Sequence, residues 1–329
     1  MNIMSWNTTN ACNLYCKHCY RESGKQAEGE LSTAEGKKLI DEIAKAGFPI
    51  MIFSGGEPLT RPDIYELIAH AREVGLRPVL GSNGTLITPE VALRLKEAGL
   101  MAAGISLDSL DPQKHDALRG KEGAWEAAVQ GMKNCREAGL GFQIHTTVMD
   151  WNEGEITDMM DFAVEIGARA HHIFFLVPTG RGEDIVDMAL DRKAYEEVLT
   201  RIMTKAKDVP IEVKPTCAPQ FIRVSDKVGY KHRFSKGCLA GISYCIISPK
   251  GDVQPCAYMK MEIGNVRDLP FDTIWAENET FQTLRTMQYG GECGTCQYDS
   301  KCGGCRARAA YYHKGDYMSA DPLCIRNKE

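Results

Sequence analysis

The stretch Asn10-Ala-Cys-Asn-Leu-Tyr-Cys-Lys-His-Cys-Tyr20 places Cys12, Cys16 and Cys19 in a C-x3-C-x2-C spacing. Three thiolates on one short loop can hold three corners of a four-iron cube and leave the fourth iron open. An open iron is a reaction site, whereas a fully ligated cluster only stores or passes electrons. The alternative is a zinc loop, in which His18 would supply the fourth ligand that tetrahedral zinc requires.

The residues after this loop alternate between strand and helix patterns. Six short apolar runs predict strands: 3–6, 49–53, 77–80, 102–107, 142–148 and 171–177. Helical patterns between them predict a parallel sheet with right-handed crossovers. Six such units favour an α/β fold, a partial (β/α)6 barrel of the TIM type. From Pro210 the pattern breaks into short apolar stretches, glycines and cysteines. We therefore predict a barrel domain over residues 1–209 and a small cysteine-rich domain over residues 210–329.

The second predicted strand is followed by Ser54-Gly-Gly-Glu-Pro58. The chemistry of such barrels lies at the carboxyl ends of the strands. Gly55 and Gly56 let the backbone approach a ligand closely, and the Glu57 carboxylate can pair with an ammonium group. A G-G-E-P motif in this position, behind a C-x3-C-x2-C loop, resembles the radical S-adenosylmethionine (SAM) superfamily.

The resemblance implies a [4Fe-4S] cluster on Cys12, Cys16 and Cys19 that binds SAM and cleaves it to a 5′-deoxyadenosyl radical. It also implies that residues 55–57 contact the methionine amino group of SAM, and that Asn83 and Ser106, after the third and fourth strands, contact the rest of it. His145 on the fifth strand is either a site residue or a barrel-core histidine.

Thirteen cysteines are many for a chain with no apparent leader, in which close thiols more often bind metal than form disulfides. Cys135 fits a buried helical position. Eight others follow in the C-terminal region: Cys238, Cys245, Cys256, Cys293, Cys296, Cys302, Cys305 and Cys324. Eight thiolates suffice for two four-iron clusters, whereas a zinc ribbon would use only four.

The C-terminal cysteine pattern resembles the SPASM extension of radical SAM enzymes, which binds two auxiliary [4Fe-4S] clusters. Carried over by order, cluster I takes Cys238, Cys245, Cys256 and Cys305, and cluster II takes Cys293, Cys296, Cys302 and Cys324. Two residues separate Cys302 from Cys305, one fewer than in better-known members. Cys217 stays open as a spare ligand, a substrate-site thiol or a buried thiol.

The composition of the chain indicates which binding partners to expect. The formal net charge of −5 disfavours nucleic acid. The absence of an apolar run of roughly 18 residues and of a leader predicts a soluble cytoplasmic protein with no membrane partner. One segment, from Pro210 to Lys236, carries six Lys or Arg against two acidic residues. It is either a solvated loop or a contact for an anionic substrate.

Four strings resemble the tetrapyrrole-modifying branch of SPASM enzymes, which acts in heme and heme d1 biosynthesis: Phe175–Gly182, Thr216–Pro219, Gly237–Gly241 and Cys302–Ala309. The resemblance implies that a carboxylate side chain of an iron tetrapyrrole is removed or oxidised by an oxidoreductase or lyase, with flavodoxin or ferredoxin as electron donor. Arginines suit carboxylates, so Arg181, Arg223 and Arg233 are the predicted substrate clamp.

Two other functions stay open. Peptide-modifying SPASM maturases of the pyrroloquinoline quinone or mycofactocin type share much of the C-terminal string. They usually carry an added N-terminal domain that grips a leader peptide, and here the cysteine loop begins at residue 12. A non-catalytic electron carrier would use the C-terminal clusters alone and would leave Glu57 without a purpose.

Overall fold

The computed structural model describes residues 2–325, and in that range nine strands form one sheet. The strands are β1 (Ile3–Asn7), β2 (Ile50–Ser54), β3 (Arg77–Ser82), β4 (Ala102–Ser106), β5 (Phe142–Val148), β6 (Ala170–Phe175), β7 (Glu212–Thr216), β8 (Tyr244–Ile247) and β9 (Val253–Gln254). Their spatial order is β7-β6-β5-β4-β3-β2-β1-β8-β9. All neighbouring pairs are parallel except β8 and β9.

Helices connect the strands and cover the sheet. They are α1 (Thr33–Lys45), α2 (Ile64–Glu73), α3 (Pro89–Glu97), α4 (Pro112–Arg119), α5 (Ala124–Glu137), α6 (Ile156–Ile166), α7 (Arg192–Lys205), α8 (Phe221–Val228), α9 (Phe271–Glu277), α10 (Glu279–Thr286), α11 (Gly291–Gly294) and α12 (Arg306–Tyr312). Short 3-10 turns lie at Pro58–Thr60, Glu153–Glu155 and Gly180–Met188. α1 begins with a capping box, in which Ser32 and Glu35 satisfy each other's backbone N–H groups.

Alternation along the strands separates the core from the interior of the barrel. In β5 every second residue is buried under the helices, and the intervening Gln143, His145 and Thr147 are only partly buried. β2 shows the same period, with Met51 and Phe53 buried. Polar side chains therefore collect on the inner face of the sheet.

The predicted α/β fold with a parallel TIM-like sheet is confirmed, and all six predicted strands are present. The sheet does not end with them. β7 pairs with β6, and β8 pairs with β1. Segments from both sides of residue 210 thus share one sheet, and the division into two domains at that residue stays a prediction.

Within residues 2–325 no helix is long and apolar enough to cross a bilayer.

Candidate active site and cysteine clusters

The loop after β1 brings Cys12, Cys16 and Cys19 together. The three residues pack with Leu14 and with Ala124 at the start of α5. Burial raises the pKa of Cys12 to about 11, and the charges of the two neighbouring thiols act in the same direction. The three sulfur atoms therefore share one largely buried environment, as three ligands of one cluster must.

Arg181 fixes this loop from the segment after β6. Its Nε donates to the Cys16 carbonyl and its Nη1 to the Ser23 carbonyl, each at 2.9 Å. Its guanidinium also stacks 4.0 Å from the centre of the Tyr15 ring. Arg181 thus holds the loop through two of its nitrogens, and it also lines the cavity at the strand ends, so its contact with a substrate carboxylate stays a prediction.

Gly55 and Gly56 lie against the backbone that leads into the cysteine loop. A Cβ atom on Gly56 would lie 2.2 Å from the Ala11 carbonyl oxygen, and one on Gly55 would lie 2.5 Å from that of Thr9. The Gly56 N–H donates to the Thr9 carbonyl at 2.8 Å. Both positions therefore require glycine. Both also line a cavity at the carboxyl ends of the strands, here called the central cavity.

Glu57 does not face this cavity. Its side chain is fully buried, and its two oxygens accept from Ser82 Oγ at 2.9 Å, the Leu59 N–H at 3.2 Å and the Asn83 N–H at 2.8 Å. Burial raises its pKa to about 7. The prediction that this carboxylate pairs with the SAM ammonium group is therefore wrong. Glu57 ties the ends of β2 and β3 together instead.

The central cavity has a volume of about 260 Å³ and lies where the strands end, beside the cysteine loop. Asn83 and Ser106 line it, as expected from their places after β3 and β4, and their contacts with SAM stay predictions. Segments that the sequence did not point to also line it: Tyr244 and Ile246 of β8, and Ala257 and Tyr258 beyond Cys256.

His145 also lines the cavity, from the inner face of β5. Its ring stacks on His172, with centroids 5.4 Å apart and planes 8° apart. Burial lowers the pKa of His145 well below its ordinary value. A neutral imidazole therefore faces the cavity.

A buried ion pair beside Cys16 was missed at the sequence level. Arg119 Nη1 lies 3.8 Å from Cys16 Sγ, and Nη2 lies 2.7 Å from the Asp108 carboxylate. Asp108 is fully buried. Burial alone would raise its pKa, but the charge of Arg119 lowers it below its ordinary value. An acid two residues after Ser106, at a strand end, was the available signal.

Four further cysteines pack together beside Val177 and Tyr258, two residues that line the central cavity. They are Cys217, Cys238, Cys256 and Cys305. The Cys217 thiol donates to Cys305, which lowers the pKa of Cys305 to about 7 and raises that of Cys217. Burial and the charges of Cys238 and Cys305 raise the pKa of Cys256. These four thiols form the first cysteine group.

Cys245, predicted as a ligand of that group, lies elsewhere. It is fully buried on β8, and its Sγ lies 3.9 Å from Met4 Sδ in the core under the sheet. Because side chains alternate along a strand, Tyr244 and Ile246 face the cavity and Cys245 faces away. The ligand prediction for Cys245 is therefore wrong, and Cys217 takes its place in the group.

The second cysteine group surrounds a cavity of about 520 Å³, which Gln220, Gly303 and Gly304 also line. Its members are Cys293, Cys296, Cys302 and Cys324. This grouping is the one predicted for the second auxiliary cluster. A hollow ringed by four thiols suits a group that has four thiolate ligands.

The predicted basic clamp does not form. Arg223 binds both Glu196 oxygens, at 2.8 and 2.6 Å, and Arg233 pairs with Glu212 while its side chain is 78% exposed. Neither arginine is among the described residues that line the central cavity. The assignment of both to substrate carboxylates is contradicted by this placement.

Within residues 2–325 no three His, Cys, Asp or Glu side chains converge on a point where one metal ion would lie. The thiolates of a four-iron cluster need not converge, because each binds a different iron atom.

Two family models match the chain. Residues 6–163 match the radical SAM superfamily, and residues 238–306 match SPASM, an iron-sulfur cluster-binding domain. With the three-cysteine loop at the end of a parallel sheet, these matches show that the chain belongs to the radical SAM enzymes that carry a SPASM domain. It binds SAM with a [4Fe-4S] cluster, and its C-terminal part binds auxiliary iron-sulfur clusters. The zinc loop, the zinc ribbon and the pure electron carrier are thereby excluded.

Particular relatives are similar over nearly the whole length. An AdoMet-dependent heme synthase of Nitratidesulfovibrio vulgaris is 44% identical, covering 98% of this chain and 91% of the relative. A mycofactocin maturase of Mycobacterium tuberculosis is 33% identical over 98% of this chain and 82% of its own. Among solved structures, Streptococcus suis SuiB bound to precursor peptide SuiA has a TM-score of 0.78 at 16% identity, over 98% of this chain and 75% of that one. That last likeness supports the fold alone.

Proposed function

We propose that this protein is a radical SAM oxidoreductase or lyase that removes or oxidises a carboxylate side chain of an iron tetrapyrrole on the way to heme or heme d1. The observation that carries the proposal is the 44% identity with an AdoMet-dependent heme synthase over 98% of the chain. The cavity supports it, because it joins the three-cysteine loop to Gly55 and Gly56 at the strand ends.

Cys12, Cys16 and Cys19 would hold the reactive cluster, which supplies a 5′-deoxyadenosyl radical when SAM is bound. Gly55 and Gly56 would bring backbone groups against the methionine part of SAM. Asn83 and Ser106 would offer polar groups to the rest of the molecule. Arg181 keeps the cysteine loop in place, and the apolar side chains of Phe174 to Val177 exclude water from the cavity.

The central cavity would receive the reactive cluster, SAM and the reacting side chain of the substrate. With Arg223 and Arg233 placed elsewhere, recognition of that side chain would fall to groups that line the cavity. These are the Arg181 guanidinium, the hydroxyl groups of Thr147 and Tyr258, and the His145 imidazole.

The two auxiliary clusters would be held by the two cysteine groups. We assign Cys217, Cys238, Cys256 and Cys305 to the first cluster, and Cys293, Cys296, Cys302 and Cys324 to the second. Fully ligated clusters of this kind accept or pass one electron. A flavodoxin or ferredoxin would deliver the electron that the reaction of SAM consumes.

The test is anaerobic incubation of the reduced enzyme and SAM with iron tetrapyrroles derived from siroheme and, in parallel, with candidate peptides. We expect 5′-deoxyadenosine formation to be stimulated by a tetrapyrrole, with loss or oxidation of a carboxylate group in the product mass. Stimulation by peptides alone would contradict the proposal.

The second candidate is a peptide-modifying maturase of the mycofactocin or pyrroloquinoline quinone type. The observation that favours it is the 33% identity with a mycofactocin maturase over 98% of the chain. The two candidates differ in substrate and share the cysteine groups, so the same incubation separates them.

A further inference from the structure

Arg306 is a fully buried cation at the start of α12. Its Nη1 donates to the carbonyls of Tyr317 at 2.8 Å and Ser319 at 2.7 Å, and the guanidinium stacks 4.5 Å from the centre of the Tyr289 ring. Among residues 2–325 no carboxylate lies within ion-pair distance of it. Carbonyl dipoles orient this cation but do not neutralise its charge.

The other buried arginines near cysteines do have such partners. Arg308, two positions along α12, binds the Asp321 carboxylate through Nε at 2.8 Å and Nη2 at 2.7 Å. Arg119, beside Cys16, binds Asp108. Because removing a charge from water without a counter-charge is strongly unfavourable, Arg306 requires an anion that is present in the loaded protein.

Arg306 faces thiols of both cysteine groups. Its Nη2 lies 3.9 Å from Cys293 Sγ in the second group, and its backbone N–H donates to Cys238 in the first. Gly304 makes the first approach possible. At its φ of +62°, an added Cβ would lie 2.7 Å from Arg306 Nη2, 2.7 Å from Asp321 Cβ and 3.2 Å from Cys293 Sγ. The Asp321 carboxylate itself is bound by Arg308.

We propose that Arg306 is the shared counter-ion of the two auxiliary clusters and that it raises the reduction potential of both. Reduction adds one negative charge to a cluster, and a fixed buried cation stabilises that form. Net charge and hydrogen bonds to the sulfurs are among the factors that set such potentials. The inference depends on the ligand assignment above and not on the identity of the substrate, because the potentials can be measured without substrate.

The test compares wild-type protein with R306Q, R306K and K301Q after anaerobic cluster reconstitution. Lys301 is the matched control, because it is next to Cys302 in sequence but exposed, and an exposed charge is screened by solvent and salt. Each protein is reduced stepwise with dithionite and mediators and followed by EPR. Signals that SAM does not alter are taken as those of the auxiliary clusters, and iron per chain is measured on the same samples.

For R306Q we expect the ratio of reduced to oxidised auxiliary cluster to fall at least tenfold at the wild-type midpoint, a shift of about 59 mV for a one-electron couple. R306K, which keeps the charge, should stay closer to wild type, and K301Q should not shift. Wild-type potentials in R306Q, or an equal shift in K301Q, would overturn the proposal. If R306Q fails to retain iron while R306K retains it, the charge is required and the proposal stands. Loss of iron in both would refute it, since the guanidinium shape and not its charge would then be needed.

Discussion

Cys217→Ala should lower the iron content of the protein, whereas Cys245→Ala should leave it unchanged. With all clusters loaded we expect about twelve iron atoms per chain, because three four-iron clusters are assigned. Cys217 belongs to the first cysteine group, so Cys217→Ala removes one of four ligands, and the iron content should fall to about eight. Cys245 packs against Met4 in the core, so Cys245→Ala should keep about twelve.

The cost of Cys245→Ala should appear in stability instead. Cys245 is fully buried, and deleting a buried group of about methyl size costs roughly 1 kcal/mol. Iron and sulfide per chain should be measured on both variants after anaerobic reconstitution, with the thermal unfolding midpoint recorded for the apo-proteins. Cys135→Ala, another buried thiol, is the matched control and should keep its iron.

The opposite pattern would refute the assignment. If Cys245→Ala loses about four iron atoms and Cys217→Ala loses none, Cys245 and not Cys217 is a ligand of the first auxiliary cluster. Loss from both variants would mean that the core beside Met4 is needed to build the cluster site.

Three further outcomes are expected. Gly56→Ala should lower the rate of SAM cleavage at least tenfold, because the new Cβ would lie 2.2 Å from the Ala11 carbonyl oxygen. Misplacement of reacting groups by about 1 Å can lower a rate about a hundredfold. Unchanged 5′-deoxyadenosine formation would contradict this prediction. Asp321→Asn should destabilise the protein by about 3–5 kcal/mol, as measured by denaturant unfolding, because it leaves Arg308 as an unpaired buried charge; a neutral effect would show that the pair contributes little. Burial raises the pKa of Glu57 from 4.5 to about 7, so its stabilising contribution is complete below about pH 4.5 and is lost as pH rises through 7, by about 3 kcal/mol in total. The thermal unfolding midpoint should therefore change less between pH 5 and 8 in Glu57→Gln than in the wild-type protein. An identical pH dependence in the two proteins would refute the raised pKa of Glu57.

The barrel and the reactive loop could be predicted from local patterns. Apolar runs bounded by capped helices give the order of the first six strands, and glycine pairs at strand ends mark close backbone approaches such as that of Gly56 to Ala11. Strand β7 escaped prediction because Lys214 and Pro215 interrupt its apolar pattern. The placement of β8 depends on pairing with β1, which no local signal reports.

Side-chain roles were harder to predict than positions. Cys245 was predicted as a cluster ligand and Cys217 was left open, but Cys245 packs in the core and Cys217 packs with the first cysteine group. Glu57 carries the right charge for the SAM ammonium group, yet internal donors already bind its carboxylate, and two of the three Arg181 nitrogens already donate to backbone carbonyls. A sequence names the available groups, but the tertiary structure decides which of them are already hydrogen-bonded or ion-paired.

The position of β1 between β2 and β8 has a consequence for how the protein is made. One neighbour of β1 follows it within about fifty residues, and the other is Tyr244–Ile247. During synthesis one edge of β1 stays unpaired until that late segment emerges, and open strand edges invite association with other chains. A fragment that ends at residue 209 should therefore aggregate, and the loop that follows β1 should reach its final form only when the C-terminal part has been synthesised.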